Sequence, residues 1–154
     1  MKYEFTGEVK VVFGVSLKRI RALVTIAGVV NAGDVGGWIE SEKNLLQVYG
    51  NARVSGDARV YGDAQVSGDA WVSGDAWVSG NAAICFFGGF GSAYRQTTAF
   101  IDSEIKIRIT CGCFTGSLSD FRASVIKTHG EESKHGKTYL GIANLIEFHF
   151  AEAA

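Results

Sequence analysis

Between Gly50 and Cys85 the chain reads GNARVS, GDARVY, GDAQVS, GDAWVS, GDAWVS and GNAAIC, six consecutive hexads in a single phase. Within each hexad the alanine and the aliphatic residue stand two apart. On an extended backbone they share one face, and the residue between them takes the other. Ala52, Ala58, Ala64, Ala70, Ala76 and Ala82 are therefore expected inside, with Val54, Val60, Val66, Val72, Val78 and Ile84. The Gly-Asp or Gly-Asn pair supplies a corner, because glycine tolerates positive φ and Asp or Asn bond the local backbone or adopt the left-handed conformation. A short strand and a corner repeated every six residues form one side of a polygonal coil. That demand explains the composition: 20 of 154 residues are glycine and none is proline, against an average glycine content of about 7%.

The order of aliphatic residue, two-residue corner and small inward residue resembles the hexapeptide repeat of left-handed parallel β-helices. The resemblance implies three hexads per triangular coil and thus two full coils, with an irregular third over Gly33 to Tyr49, which contains Trp38-Ile39 and Leu45-Leu46-Gln47-Val48-Tyr49. So short a prism is not expected to stand alone. The few valine-class side chains buried per coil do not offset the backbone entropy of ordering it, and open coils leave strand edges unpaired. Repeat arrays need terminal caps or partners, so the flanks are read as caps.

Before the repeat, Ile20, Ala22, Val24 and Ile26 alternate with Arg19, Arg21, Leu23 and Thr25, the pattern of a half-buried strand with a basic outer face. With Tyr3 to Phe5 and Val9 to Phe13, separated by Gly7 and Gly14, it predicts a small antiparallel meander. Tyr3-Glu4-Phe5-Thr6-Gly7-Glu8, Arg19-Ile20-Arg21-Ala22-Leu23 and Ala32 to Glu40, leading into the hexads, resemble uncharacterised phage and prophage proteins that carry such repeats; the resemblance covers roughly residues 2–85. After the repeat, Phe86-Phe87-Gly88-Gly89-Phe90-Gly91 reads as an apolar loop, followed by strands at Thr97 to Ile101 and Ile105 to Cys111. Ser117-Leu118-Ser119-Asp120 fits a capping-box helix start, with Leu118, Phe121 and Val125 on one face and Gly130 as the stop. Tyr139, Ile142, Ala143, Ile146 and Phe150 recur at helical spacing in a second helix. The expected fold class is mainly β with C-terminal α: an N-terminal β cap (1–32), a short left-handed parallel β-helix (33–85) and a C-terminal ββαα cap and interaction domain (86–154). The tail, especially around Cys111-Gly112-Cys113-Phe114-Thr115-Gly116, also resembles segments of phage-associated proteins.

Many hexapeptide-repeat proteins are trimeric acyl-CoA-dependent transferases with a general-base histidine on or beside the coils. This chain has no histidine before His129, so such a base would have to be His129, His135 or His149. The zinc-dependent γ-class carbonic anhydrases need three histidines around the coils, and the repeat holds none. Cys111, Cys113, His129 and His135 form C-x-C, fifteen residues, then H-x5-H. That donor set suits zinc, although the C-x-C is tighter than usual. The preferred reading is that Cys111 continues the inward face of Ile107 and Ile109 while the histidines flank a polar turn. Nothing marks a depressed thiol pKa or an orienting third group for a Cys-His nucleophile. Gly88 to Gly91 lacks the lysine of a P-loop and the spacing of a dinucleotide fingerprint. His149, between Phe148 and Phe150, reads as a packed or rim histidine. No cofactor is expected.

The outward hexad positions are Arg53, Arg59, Gln65, Trp71, Trp77 and Ala83. With eighteen residues per coil, Arg53 stacks over Trp71 and Arg59 over Trp77, about 4.8 Å apart along the axis. Two readings stand side by side: cation–π pairs that shield the indoles, and partner-binding anchors, since Trp and Arg are enriched at interface hot spots. Lys18, Arg19, Arg21, Arg53 and Arg59 offer a nucleic-acid reading, but with 15 basic against 16 acidic residues and a net charge of −1 no phosphate-tracking stripe stands out. No apolar run approaches the length of a membrane span. Without a signal-like N-terminus and with three cysteines, a reducing cytoplasm is expected. The functional expectation is a non-enzymatic, phage-type protein–protein interaction module. It would inhibit a host protein or complex in an anti-defence role such as anti-CRISPR, and it would self-associate as a dimer or trimer. The alternatives are a hexapeptide-repeat acyltransferase and a nucleic-acid-binding accessory protein.

Overall fold

Residues 1–26, 29–47, 50–91, 95–112 and 114–153 are described by the computed structural model. The first strand, β1 (Tyr3–Val12), turns at Phe13-Gly14 into the antiparallel β2 (Val15–Ala22). Gly7 does not separate two strands as expected. It sits at φ +96° inside one strand, where the register shifts between Phe5 and Val9. The alternation read through Ile26 stops at Ala22, whose N–H and carbonyl pair with Asp34 and Gly33 at the start of β3 (Val35–Ile39). Val24 is left exposed, while Ile26 is buried in an isolated bridge with Val30.

The repeat supplies four two-residue strands, β4 (Arg53–Val54), β5 (Arg59–Val60), β6 (Trp71–Val72) and β7 (Trp77–Val78). Each corner glycine from Gly50 to Gly74 lies in the left-handed region, with φ between +61° and +75°. Pairing is parallel throughout: Trp38 with Arg59, Arg59 with Trp77, and Arg53 with Trp71, with Leu45 bridging Val66. Partners within the hexads are 18 residues apart, one coil of three hexads. In the first coil the step from Trp38 to Arg59 is 21. The three extra residues match a 3-10 turn at Glu42–Asn44, which turns Asn44 into the core at 0% exposure. Its Nδ2 donates to the carbonyls of Gly62 (3.2 Å) and Ala64 (2.9 Å), and its Oδ1 accepts the Ser41 N–H. The corner acids bond across coils rather than locally: Asp69 accepts the Asn51 N–H and Asp63 the Asn81 N–H.

Inside the coils the alanines and valines from Ala58 to Val78 are fully buried, as the hexad pattern requires. The sixth hexad departs. Gly80 is extended, Asn81–Ala83 forms a 3-10 turn, and Ala82 is exposed rather than inward because the chain is leaving the coil there. The sheets stay separate: a five-stranded one in the order β1-β2-β3-β5-β7, the pair β4-β6, and a four-stranded one beyond the repeat.

That last sheet corrects the expected ββαα tail. Four strands, β8 (Ile84–Phe87), β9 (Thr97–Ile101), β10 (Ile107–Cys111) and β11 (Phe114–Ser117), pair antiparallel in the order β11-β10-β9-β8. Phe86 and Phe87, read as loop, complete β8. Phe114 and Thr115 pair back onto Cys111 and Thr110. Ile105 is not in a strand: Asp102 Oδ1 accepts the N–H groups of Glu104 and Lys106, closing a tight turn with Ile105 at φ +62°. The helix α1 (Leu118–His129) starts on the capping box of Ser117 and Asp120 and ends at Gly130, whose N–H bonds Ile126. Tyr139, Ile142, Ala143, Ile146 and Phe150 of α2 (Lys134–Ala153) form the expected buried stripe.

One face of the four-stranded sheet packs on the helices through Ala99 and Ile109, while Phe100 faces the other way and joins the core of the coils. Thr98 and Thr110 also face the coils. The Trp71 N–H donates to Thr98 Oγ1 (3.2 Å), and Thr110 Oγ1 donates to the Trp71 carbonyl (2.7 Å). Side-chain hydroxyls thus occupy backbone groups of β6 on the side away from β4, an edge that would otherwise stand open.

Cys85 lies among the residues packed against the helices, and burial pushes its thiol from the usual 9.0 up to about 11. A thiol held protonated by the fold favours folding fully below the unfolded pKa, and that contribution is lost as pH rises through the folded one. The denaturation midpoint should therefore fall between about pH 9 and about pH 11. In Cys85→Ala this part of the slope should be absent in urea titrations; an unchanged slope would refute the assignment.

Candidate interaction surface

The outward residues of the five-stranded sheet form a continuous row because paired residues of neighbouring strands share one face, whether the strands run antiparallel, as β2 and β3 do, or parallel, as β3, β5 and β7 do. Arg19 pairs with Trp38, Trp38 with Arg59 and Arg59 with Trp77. The Arg19 guanidinium carbon lies 5.2 Å from the Trp38 ring centre, and that of Arg59 lies 5.4 Å from Trp77. The β1–β2 hairpin adds two contacts: Lys10 Nζ sits 4.1 Å over Trp38, and Phe13 meets Trp77 edge-on at 5.2 Å. Desolvation, and next the charge of Arg59, lower the Lys10 pKa, partly opposed by Asp57. On the neighbouring face Arg53 stacks 4.9 Å over Trp71, whose indole N–H donates to Ser55 Oγ (2.9 Å). Burial likewise draws the Arg53 guanidinium down, against the charge of Asp69.

Arg53, Arg59, Trp71 and Trp77 are thus all half-buried, each arginine covering an indole one coil away. The Nε atoms of both arginines and the Trp38 indole N–H are buried without hydrogen-bond partners among the described residues. Stacking holds these groups, with one hydrogen bond from Arg53 Nη1 to the Asn51 carbonyl (3.4 Å), and each stacked pair contributes roughly 0.5 to 1 kcal/mol. At the Trp77 end of the row Phe13 is 74% exposed; Val9 and Val11, 58% and 68% exposed, alternate with Lys10 and take the other face of the hairpin. Sequence reasoning found Arg59 and Trp77 but not Phe13, Lys10 or Trp38. The basic outer face of β2 was the available signal, and only the fold of the hairpin brings it to the repeat.

The tail residues come together in part. The Tyr139 ring stacks on His129 at 5.5 Å, and His129 meets His135 edge-on at 5.8 Å. Cys111 is half-buried on the helix-facing side of β10, where Thr97 Oγ1 donates to its sulfur (3.3 Å). Desolvation and then Cys111 raise the Tyr139 pKa. Cys113 lies outside the described residues. Among the described residues no three His, Cys, Asp or Glu side chains converge as a metal site. His149 is half-buried against Phe150, with Nε2 buried and without a partner among the described residues.

No described helix is long and apolar enough to cross a membrane. A family model described as YdcK Beta solenoid repeat matches residues 46–62 and 64–80, and these stretches contain β4 to β7. The chain accordingly carries β-solenoid repeats over these stretches and is mainly β with two C-terminal helices. No curated protein and no solved structure matches it.

Proposed function

We propose that this chain is a non-enzymatic protein-binding module whose contact surface is the outer face of the five-stranded sheet. The observation that carries this reading is Phe13, 74% exposed yet seated on Trp77 at the end of the Arg19–Trp38–Arg59–Trp77 row. An aromatic anchor held by a stacked, desolvated cation ladder matches the composition of interface hot spots and enters a contact with little ordering left to do. The scaffold is read as a left-handed β-helix with the flanking sheets as its end caps, and as a dimer or trimer. The likeness of residues 2–85 to phage and prophage repeat proteins supports a host protein or complex as partner. Inhibition of an immune complex in the host cytoplasm by occupancy needs no catalytic group.

The test is capture from host lysate with wild type beside a Phe13→Asp, Trp77→Ala variant, with circular dichroism to show that both fold. Retention of a specific host protein should fall at least about tenfold in the variant, the effect of losing a hot-spot residue. Equal retention by both would remove this surface from the proposal.

A further inference from the structure

We propose a second, independent site: the pocket between the solenoid corner at Gly74-Asp75 and the β9–β10 turn binds a small zwitterion of the α-amino-acid class, basic ones best. The cavity is about 330 Å³, at the small end of small-molecule sites. That size suits a free amino acid rather than a nucleotide. It shares no residue with the row on the five-stranded sheet.

The lining carries charges of both signs. Arg108 lines the cavity from β10, half-buried; its guanidinium makes no hydrogen bond or ion pair among the described residues, and its charge also reaches Asp120 outside the cavity. Two carboxylates share the lining, Asp102 on the same β9–β10 hairpin as Arg108 and Asp75 on the solenoid corner. Asp102 is 7% exposed; its Oδ1 is committed to the N–H groups of Glu104 and Lys106, while Oδ2 has no partner among the described residues. Asp75 accepts Ser103 Oγ through Oδ2 at 2.6 Å, and its Oδ1 is likewise without one. Glu104 and Lys106 pair with each other. Arg108 forms no ion pair with either aspartate, so its donors and their open oxygens remain available to a ligand.

A ligand that satisfies both signs of charge needs a carboxylate and an ammonium. A guanidinium takes a carboxylate with two parallel N–H donors, and an ammonium has three donors for the open oxygens of Asp75 and Asp102. With three acids and two bases around it, the pocket carries a net −1, which favours an additional positive charge and disfavours acidic ligands. The Ser73 and Thr115 hydroxyls add polar capacity, and Phe100, 2% exposed, closes the floor. A Cβ built on Gly74 meets nothing within 4 Å, so the corner leaves the mouth open.

Isothermal titration of the full chain with lysine, glutamate, Nα-acetyl-lysine and lysinamide tests this. Lysine should bind, and blocking its α-amino or carboxyl group should weaken binding at least about tenfold. Glutamate should bind weakest of the free amino acids. Arg108→Gln should abolish the preference for lysine over lysinamide, and Asp75→Asn should weaken lysine at least about tenfold, with circular dichroism confirming that both variants fold. No binding by lysine, or equal binding of lysine and lysinamide, would overturn the proposal; so would wild-type affinity in both variants. If the variants fail to fold, the comparison of lysine with its two blocked forms on the wild type decides alone.

Discussion

Asn44→Leu should destabilise the chain by about 3 to 5 kcal/mol, although the side chains are similar in size. Leucine cannot donate to the Gly62 and Ala64 carbonyls or accept the Ser41 N–H, and Asn44 is the residue that satisfies all three inside the first coil. Each buried group left unpaired costs roughly 1 to 3 kcal/mol. Against a total stability of roughly 5 to 15 kcal/mol, the loss should be plain in urea denaturation. Asn44→Asp should be at least as harmful, since it keeps the acceptor, loses both donors and buries a charge at 0% exposure. A midpoint for Asn44→Leu close to wild type would show that the 3-10 turn does not depend on this side chain.

Two corner glycines with the same backbone conformation should respond differently to alanine. Gly62 and Gly74 have φ +66° and +68°, so each pays roughly 1 to 2 kcal/mol for a left-handed L-residue. At Gly62 the added Cβ would also lie 2.3 Å from the Ser79 carbonyl oxygen of the next coil, whereas at Gly74 nothing lies within 4 Å. Because the obstacle is backbone, relief requires the coils to part, at an overpacking cost of typically about 1 to 3 kcal/mol. Gly62→Ala should lose about 2 to 5 kcal/mol and Gly74→Ala about 1 to 2 kcal/mol, read from paired denaturation curves. Equal losses would mean that the coils are not stacked as closely as the structure has them.

The elements most legible in the sequence were those governed by nearest-neighbour geometry. Alanine and valine two residues apart became the inner wall of the coils, and Ser117 with Asp120 became a helix cap. Legibility failed where a residue answers to something distant. Asn44 interrupts the repeat in sequence and completes it in space. Ala82 follows the hexad pattern, yet faces solvent because the chain has already turned toward β8. Phe86 and Phe87 read as loop beside Gly88 and Gly89, and became a strand because β9 lies next to them. At the candidate surface, the pairing of Arg59 with Trp77 followed from the 18-residue coil. Phe13 reaches Trp77 only through the β1–β2 hairpin, which no periodicity encodes.

The division between the two levels is physical. A six-residue period with glycine at each corner determines by itself that the backbone coils, that small and aliphatic residues turn inward, and that arginine and tryptophan stack one coil apart. These follow from local sterics and a repeat length. What lies against the coil is a matter of long-range packing. Thr98 and Thr110 reach the edge of β6 from 27 and 39 positions away, Phe100 closes the core of the coils, and Arg108 shares a cavity with Asp75, 33 positions before it. Only the tertiary structure decided them, because the contacts form between surfaces that the chain creates by folding.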